Sequence, residues 1–594
     1  MVLPQYPNSM KAIFIHFALI VLLLLQFRAN AQFTQTWNGQ VFLLDTSSPR
    51  MSYPWEIIYG PDDSLWITEA RNYVITKMHP GNYGKRTILN LSSQRNFLNP
   101  TSQWPQGGLM GMELHPDLLS GKPYVYVALV YFKYGNTGTP NNSQCNGSTG
   151  SHACYYKTKI VRYTYNTVNK SLGSPVTVLD DLPGSNDHNS GRLKIGPDMK
   201  LYYTIGDMGA GQFNNLNRPN NAQDPEVYEG KVLRLNTEPD TDPNNPADPY
   251  NEWIPNDNPF TNSSTGYRLA TYSYGHRNPQ GLAWGNVGGI DRLYSSEHGD
   301  KSDDEVNIID AGENYGWPKV AGKCDNNYNT FDGFSTNDQL AGQNIGREDT
   351  FCTNNSVREP IFQLLNATPS QINGENSGNI YTWYTVAPSS IEFYGGSYIP
   401  GWHNSLLVTS LKYGMFRLKL NAAGTAIDPN STPQAIDTIP YFHGFRIRDV
   451  AVAPTGDTLF FVIDSTGNTS GPTGGFNGSG NSNQTDGGGK ILRAIFATQL
   501  DLKDHNPKQP INNRILVSVY PNPTSGALYV ESKVGTHKPL RVEMYDQLGR
   551  KILDQTTSKD NFSIDISQFM NGVYIFKLFN GHDVLMTTEK IVKK

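Results

Sequence analysis

The segment Gly184-Ser-Asn-Asp-His-Asn-Ser-Gly-Arg192, followed by Tyr203-Thr-Ile-Gly-Asp207, sets a histidine before and an aspartate after what reads as a β-hairpin. Leu193–Ile195 and Leu201–Ile205 have strand character. Gly196-Pro197-Asp198-Met199 between them carries turn chemistry, with Pro197 pre-setting its own φ. Pairing Ile195 with Lys200 and extending that register outward brings His188 opposite Asp207. An imidazole whose second nitrogen is held by a carboxylate is equipped as a general base. A polar loop meeting a polar strand end would show the same residues, and these residues alone leave that alternative open.

Three more segments carry groups that could act on a ligand. In Tyr274-Gly-His-Arg-Asn-Pro-Gln-Gly-Leu282, Arg277 and Asn278 are locked before Pro279, offering a planar fork and an amide at a strand-to-loop corner. A buried structural arginine would look alike. In Phe445-Arg-Ile-Arg-Asp-Val450, the strand period puts Arg446 and Arg448 on one face, where two cations seek an anion or line a solvated edge. Lys412 sits just beyond an apolar strand, on a rim. In Ser296-Glu-His-Gly-Asp-Lys-Ser-Asp-Asp-Glu305, carboxylates and loop carbonyls suit a hard cation such as Ca²⁺, although the spacing is not that of an EF-hand.

The elements that must position these groups are strands. Aromatics reach 11% and charged residues only 17%, with 56 Gly and 38 Pro, which favours a β-rich, turn-rich extracellular protein over a helical one. The net charge of −5 and the lack of a long basic run argue against nucleic acid as a partner. A loose repeat of turn, strand and acidic end runs through Gly60–Glu69, Gly196–Asp207 and Ala453–Asp464. Weaker copies lie at His115–Ala128, Asp291–Glu297 and Asn404–Ser410. Six copies predict an all-β fold: a six-bladed β-propeller, with a pair of β-sandwiches as the competing architecture.

Met10-Lys11, the apolar run Ala12–Leu25 and Ala29-Asn30-Ala31 have the order of a secretory signal, so residues 1–31 are expected to be removed; a retained anchor is the alternative. The propeller is expected over residues 32–500, a linker over 501–514 and a small β-domain over 515–594. Thr466–Gly489 reads as a flexible excursion within the last blade. In an exported chain the four cysteines favour disulfides, most simply Cys145–Cys154 and Cys324–Cys352.

Taken together, the wording and order of several segments are far more specific than any one of them. These are Gln106-Gly-Gly-Leu-Met-Gly111, His115-Pro-Asp117, Asp187-His188, Gly206-Asp207, Gly275-His-Arg-Asn-Pro-Gln-Gly281, Ser302-Asp-Asp-Glu305, Asn314-Tyr-Gly-Trp-Pro318, Thr385-Val-Ala-Pro-Ser-Ser390, Ser410-Leu-Lys412 and Arg446-Ile-Arg-Asp449. Over roughly Trp55 to Ala497 the chain resembles the soluble, pyrroloquinoline quinone-dependent glucose and aldose sugar dehydrogenases. The resemblance implies hydride transfer from C1 of a sugar to the quinone, and electrons then leave to an external acceptor. It implies His188 as base, Asp207 as its orienting carboxylate and Arg277 as a stabiliser of the developing oxyanion. Gln106, Asp187 and Trp383 match sugar-contacting positions. Arg277, Asn278, Thr385, Lys412, Arg446 and Arg448 match the cradle of the tricarboxylate cofactor. Gly299 and Asp300 match the carbonyl ligands of a catalytic Ca²⁺, and Glu305, Tyr315, Ala321 and Asp325 match a second, structural Ca²⁺ site.

Two departures stand out: Asp300 replaces a proline, and the loops Gly209–Tyr228 and Lys323–Gln371, which border the expected sugar pocket, have little similarity. A Ca²⁺-dependent propeller lactonase should lack the arginine and lysine cradle. A non-enzymatic carbohydrate- or protein-binding propeller should lack the His188–Asp207 pair.

The last eighty or so residues have a resemblance of their own. Tyr520-Pro-Asn-Pro-Thr-Ser-Gly526, Met544-Tyr-Asp-Gln-Leu-Gly549, Asp565-Ile-Ser567, Asn571-Gly-Val-Tyr-Ile575 and Lys590-Ile-Val-Lys593 are similar to the C-terminal sorting domain of the type IX secretion system in Bacteroidetes, which implies that secretion machinery as a partner. From its residues alone the segment is a short β-sandwich with turn signals, a pattern a carbohydrate-binding module would share.

Overall fold

The computed structural model describes residues 33–95, 107–132, 156–185, 187–210, 218–240, 251–327, 347–374, 384–429, 440–464, 488–497, 517–520, 523–532, 539–546, 550–559, 561–579 and 585–594. The expected signal segment, the linker, Cys145, Cys154 and nearly all of the excursion after Thr466 lie outside the described residues. The chain divides into two compact units, Met1–Asp504 and His505–Lys594.

Within the first unit the described strands form antiparallel sheets in near-sequential order. Pro54–Tyr59 opens one sheet, Leu109–Leu114 the next, then Leu193–Ile195, Pro279–Val287, Pro388–Tyr394 and Ile447–Val452. These first strands pack on one another in a cycle: each touches the next, and Ile447–Val452 returns to Pro54–Tyr59. Every neighbouring pair of sheets also shares an apolar cluster. Trp66, Tyr73 and Ile75 meet Leu109, Val125 and Val127, and at the return Ile57, Leu65 and Ile67 meet Phe460, Val462 and Ile491. Each fully buried side chain of this size contributes about 1.5–3 kcal/mol. The sheet begun by Ile447–Val452 is completed by the N-terminal strands Gln40–Asp45 and Phe33–Trp37, with Val41 opposite Ala497 and Asp45 opposite Arg493. An ion pair between Arg493 and Asp45 at 2.7 Å adds to that seam.

The strong repeats share one turn. Gly60 N donates to Ser64 O and Asp63 N to Gly60 O, while Gly196 N donates to Lys200 O and Met199 N to Gly196 O. Asp63 and Met199 both adopt left-handed φ, 54° and 57°. This is a type I turn begun at proline and closed by a left-handed bulge residue. The bulge corrects the expected register. Ile195 pairs with Leu201, not Lys200, because Met199 takes up one extra residue. The strand after each turn ends at or just before a buried acid: Glu69, Asp207 and Asp464.

The expected Cys324–Cys352 disulfide is present and ties the loop after Tyr315 to the helix Glu348–Asn355. In the second unit, Val517–Tyr520, Ala527–Ser532 and Asn561–Asp565 form one sheet, while Lys551–Thr557, Leu540–Tyr545, Gly572–Phe579 and Leu585–Lys593 form another. One apolar cluster, including Leu528, Val530, Ile564, Val542 and Phe576, draws on both sheets.

Candidate active site

His188 reaches Asp207 through a kinked loop rather than a continued ladder. His188 and Ser190 are left-handed at φ 48° and 52°, and Gly191 follows at 107°. A non-glycine residue in that region costs about 1–2 kcal/mol, so other contacts must hold it there. Asn189 supplies them, accepting from Ser185 N at 2.9 Å and donating to Ser185 O at 3.0 Å. Asp187 Oδ1 accepts from His188 N at 3.0 Å. Gly206 lies so close that a Cβ there would stand 2.2 Å from the His188 carbonyl oxygen.

The result is a His188 Nδ1–Asp207 Oδ1 contact of 2.7 Å, with His188 6% exposed and Asp207 fully buried. Asp207 also accepts from Gly209 N at 2.9 Å, Trp317 Nε1 at 2.7 Å and Asn220 Nδ2 at 3.2 Å. Burial raises this carboxyl's pKa, but His188, Arg277 and the Trp317 hydrogen bond outweigh burial and hold it below the usual carboxylate range. An ionised Asp207 only accepts, so the contact suits a proton on Nδ1 of His188. Asp187 shifts the other way, upward, because burial there outweighs His188 and Arg277.

The second cluster is built on the corner before Pro279. Glu297 Oε1 accepts from the backbone N–H groups of Arg277 and Asn278, and Glu297 Oε2 lies 2.9 Å from His276 Nδ1. The Arg277 carbonyl accepts from Asp207 N at 2.8 Å, joining this corner to the His188 loop. Arg277 Nη1 donates to Gly299 O at 2.6 Å and Nη2 to Asp300 Oδ1 at 3.2 Å, with the guanidinium 5.2 Å from the Trp317 ring centroid. The Gly299 carbonyl, an expected cation ligand, is therefore in contact with Arg277. Asn278 Oδ1 accepts from Ser190 Oγ at 2.9 Å.

Asp304 fixes a third segment. It accepts from Gly299 N at 2.9 Å and from Val386 and Ala387 N, which sets Thr385 beside the Gly299 loop. Lys412 Nζ donates to Thr385 Oγ1. Arg446 and Arg448 share a face as their strand period requires, and the anion they find is Asp464, at 3.1 and 2.8 Å. Arg448 also donates to Gln280 Oε1 at 2.9 Å and Arg446 to Leu411 O at 3.2 Å. All four cations are buried: Arg277, Lys412, Arg446 and Arg448.

His298 shows that three of these cations converge. Burial comes first, then Arg277, His188, Arg448 and Lys412, in driving its pKa well below the ordinary histidine range. Its ring is neutral, and Nε2 is buried with no hydrogen-bond partner among the described residues. Asn278 Nδ2 and Asp300 Oδ2 are likewise buried and unpartnered. An anion rich in carboxylate and carbonyl oxygens would satisfy the amide, and a cation would satisfy Asp300, so the residues present fit both groups.

The remaining expected residues among those described adjoin the Glu297 side of this cluster, where Glu305 is the cross-strand partner of Glu297. Glu305 Oε1 accepts from Gly322 N at 2.9 Å, Ala321 N donates to Glu348 Oε1 at 3.0 Å, and Asp325 Oδ1 accepts from Asn327 N at 3.0 Å. Tyr315 donates to Ile308 O at 2.6 Å and stacks on His276. Burial, with Asp325 and Glu305 adding to it, pushes Asp303 up to about 8, so these three acids share one neighbourhood. Among the described residues no group of three or more His, Cys, Asp or Glu side chains stands close enough to hold a metal ion. Gln106 and Trp383 lie outside the described residues.

Sequence reasoning missed His298, Gln280, Asp304, Asp464 and Trp317 as members of the site. All five fall in segments that the sequence singles out without a role for these residues: Asp464 as the acidic end of a repeat, Trp317 in Asn314–Pro318, Gln280 in Gly275–Gly281, and His298 and Asp304 in Ser296–Glu305.

Comparison with known proteins bears on this arrangement. The family model "Glucose / Sorbosone dehydrogenase" matches residues 51–346 and 365–470. Quinoprotein glucose dehydrogenase B of Acinetobacter calcoaceticus is 35% identical over 449 residues, covering 70% of this chain and 84% of that protein. An aldose sugar dehydrogenase of Escherichia coli is 24% identical over 424 residues, covering 70% of this chain and 89% of its own. A crystal structure of a glucose dehydrogenase matches with TM-score 0.50 at 22% identity over 77% of this chain and 99% of its own, a likeness of fold. The model "Secretion system C-terminal sorting domain" matches residues 518–594, which marks the protein for type IX secretion to the cell surface or extracellular space. With the family model spanning most of the chain and the quinoprotein relative covered nearly throughout, the protein belongs to the glucose/sorbosone dehydrogenase family.

Proposed function

We propose that the protein is a secreted, six-bladed β-propeller quinoprotein that oxidises an aldose sugar at C1 to the lactone. One observation carries this reading: the His188–Asp207 pair stands on loops bonded directly to the Arg277 corner, among buried cations that suit a polyanionic cofactor. The cyclic packing of the six first strands supports the propeller. We assign residues 1–31 to a signal peptide, 32–500 to the propeller, 501–514 to a linker and 515–594 to the sorting domain, a small β-sandwich.

Arg277, Asn278, Thr385, Lys412, Arg446 and Arg448 would hold pyrroloquinoline quinone. The Gly299 and Asp300 carbonyls would hold one Ca²⁺, and Glu305, Tyr315, Ala321 and Asp325 a second, structural one. When bound, the quinone supplies a hydride acceptor and the adjacent Ca²⁺ a Lewis acid. His188 Nε2 takes the proton of the anomeric hydroxyl, while Asp207 keeps Nδ1 protonated and the ring oriented. Arg277 presents positive charge where an oxyanion develops. Asp187, with Gln106 and Trp383, would contact the sugar. Electrons then pass to an external acceptor.

The buried cations disfavour the lactonase alternative, since hydrolysis needs no polyanion. Reconstitution with pyrroloquinoline quinone and Ca²⁺, followed by dye reduction with a panel of aldoses, tests the proposal. Turnover of at least one sugar supports it, and failure of both cofactor binding and dye reduction overturns it.

A further inference from the structure

Tyr520 and Tyr529 are direct cross-strand partners in the second unit, and Tyr529 in turn pairs with Ser563. Direct partners point to the same face of a sheet. The two rings stand nearly parallel, 28° between planes and 6.0 Å between centroids, and are 43% and 51% exposed. The opposite face of these strands, with Leu528, Val530 and Ile564, is buried. The two outward-facing rings offer an aromatic surface on this face. They line a cleft of about 680 Å³ together with Gln555, Thr556, Thr557, Lys559, Asn561 and Ser563.

We propose that this cleft binds a neutral surface polysaccharide, with a pyranose ring lying on the Tyr520–Tyr529 plates. Ring C–H faces are apolar and pack on aromatic faces, while the hydroxyl rim needs both donors and acceptors. Gln555 and Asn561 supply amides that do both, and Thr556, Thr557 and Ser563 supply hydroxyls. Among the described residues no carboxylate lines the cleft, and Lys559 is the one cation. A nucleic acid would call for several cations, and an added peptide strand would use the backbone of a sheet edge rather than rings on a face. The proposal does not rest on the dehydrogenase reading, because it concerns the other unit.

Native affinity electrophoresis of the full chain, in gels containing dextran, mannan or laminarin, tests it. At least one polysaccharide is expected to retard the chain, and His188→Ala to be retarded equally. Tyr529→Ala should bind roughly tenfold more weakly, Tyr529→Trp should retain binding, and the exposed Gln555→Ala should lose several-fold without disturbing the fold. Absence of retardation in all three gels overturns the proposal, as does retardation that survives Tyr520→Ala/Tyr529→Ala. Variants that bind normally but fail to be exported would give the plates to the secretion machinery and overturn it too.

Discussion

His188 Nδ1 and Asp207 Oδ1 lie 2.7 Å apart although the hairpin ladder, which pairs Leu193 with Tyr203, does not set them opposite one another. A left-handed His188, packed on a glycine with no room for a Cβ, closes the gap. His188→Ala should lower kcat by about 10²–10⁴-fold while leaving cofactor binding close to wild type. Dye reduction and a spectral titration of the quinone measure the two separately. Equal loss of both would make His188 a structural residue.

Gly206→Ala should remove most turnover in a protein that still folds, because the new methyl meets the His188 carbonyl at 2.2 Å and turns the imidazole away from Asp207. A circular dichroism spectrum matching wild type together with wild-type kcat would contradict this.

Asp207 gives a pH signature. Its folded pKa lies below its unfolded value, so its contribution to stability is complete above about pH 3.9 and is lost as pH falls through the folded pKa. Asp207→Asn removes that contribution. The stability gap between wild type and variant in urea should be constant from about pH 6 to 5 and shrink below about pH 4. A gap that persists unchanged to about pH 3 would rule out the depressed carboxyl.

Arg192 clasps several sheets at once. It pairs with Glu56 at 2.6 Å and Asp449 at 3.0 Å, donates to Gln280 O and Ser389 O, and stands 4.3 Å from the Trp55 ring centroid. Arg192→Met leaves two buried acids unpaired and should destabilise the first unit by about 3–5 kcal/mol. Adding Glu56→Gln and Asp449→Asn should recover part of that loss; no recovery would mean the arginine acts through packing alone.

The Cys324–Cys352 bridge spans a sequence separation of 28 residues, for which loop closure contributes about 3–4 kcal/mol. Cys324→Ala/Cys352→Ala should speed proteolysis between these positions, read by mass spectrometry of the fragments. Unchanged cleavage would show that the loop is held by its other contacts.

Much of this was legible in the sequence, and the limits have physical causes. Period-2 geometry was enough to put Arg446 and Arg448 on one face, and turn chemistry was enough to find the Gly196–Met199 hairpin. The one-residue register error arose because a methionine takes the left-handed position, where glycine or asparagine would have announced it. The Arg277–Gly299 contact lies just beyond the Pro279–Glu297 end of one strand pair, whereas the setting of His298 depends on Arg448 and Lys412 arriving from other sheets, which no local pattern encodes. Asp464 was visible as a repeat's acidic end, but its two arginine partners come from a neighbouring strand.

The central claim is that the buried cations hold a quinone beside the His188 base. Its most direct test is titration of the purified chain with pyrroloquinoline quinone and Ca²⁺, read by cofactor absorbance and by aldose-dependent dye reduction, in wild type and in Arg446→Ala/Arg448→Ala. Saturable binding and sugar-dependent turnover are predicted for wild type, with binding weakened in the double variant. A wild-type chain that neither perturbs the cofactor spectrum nor reduces dye with any aldose would contradict the account.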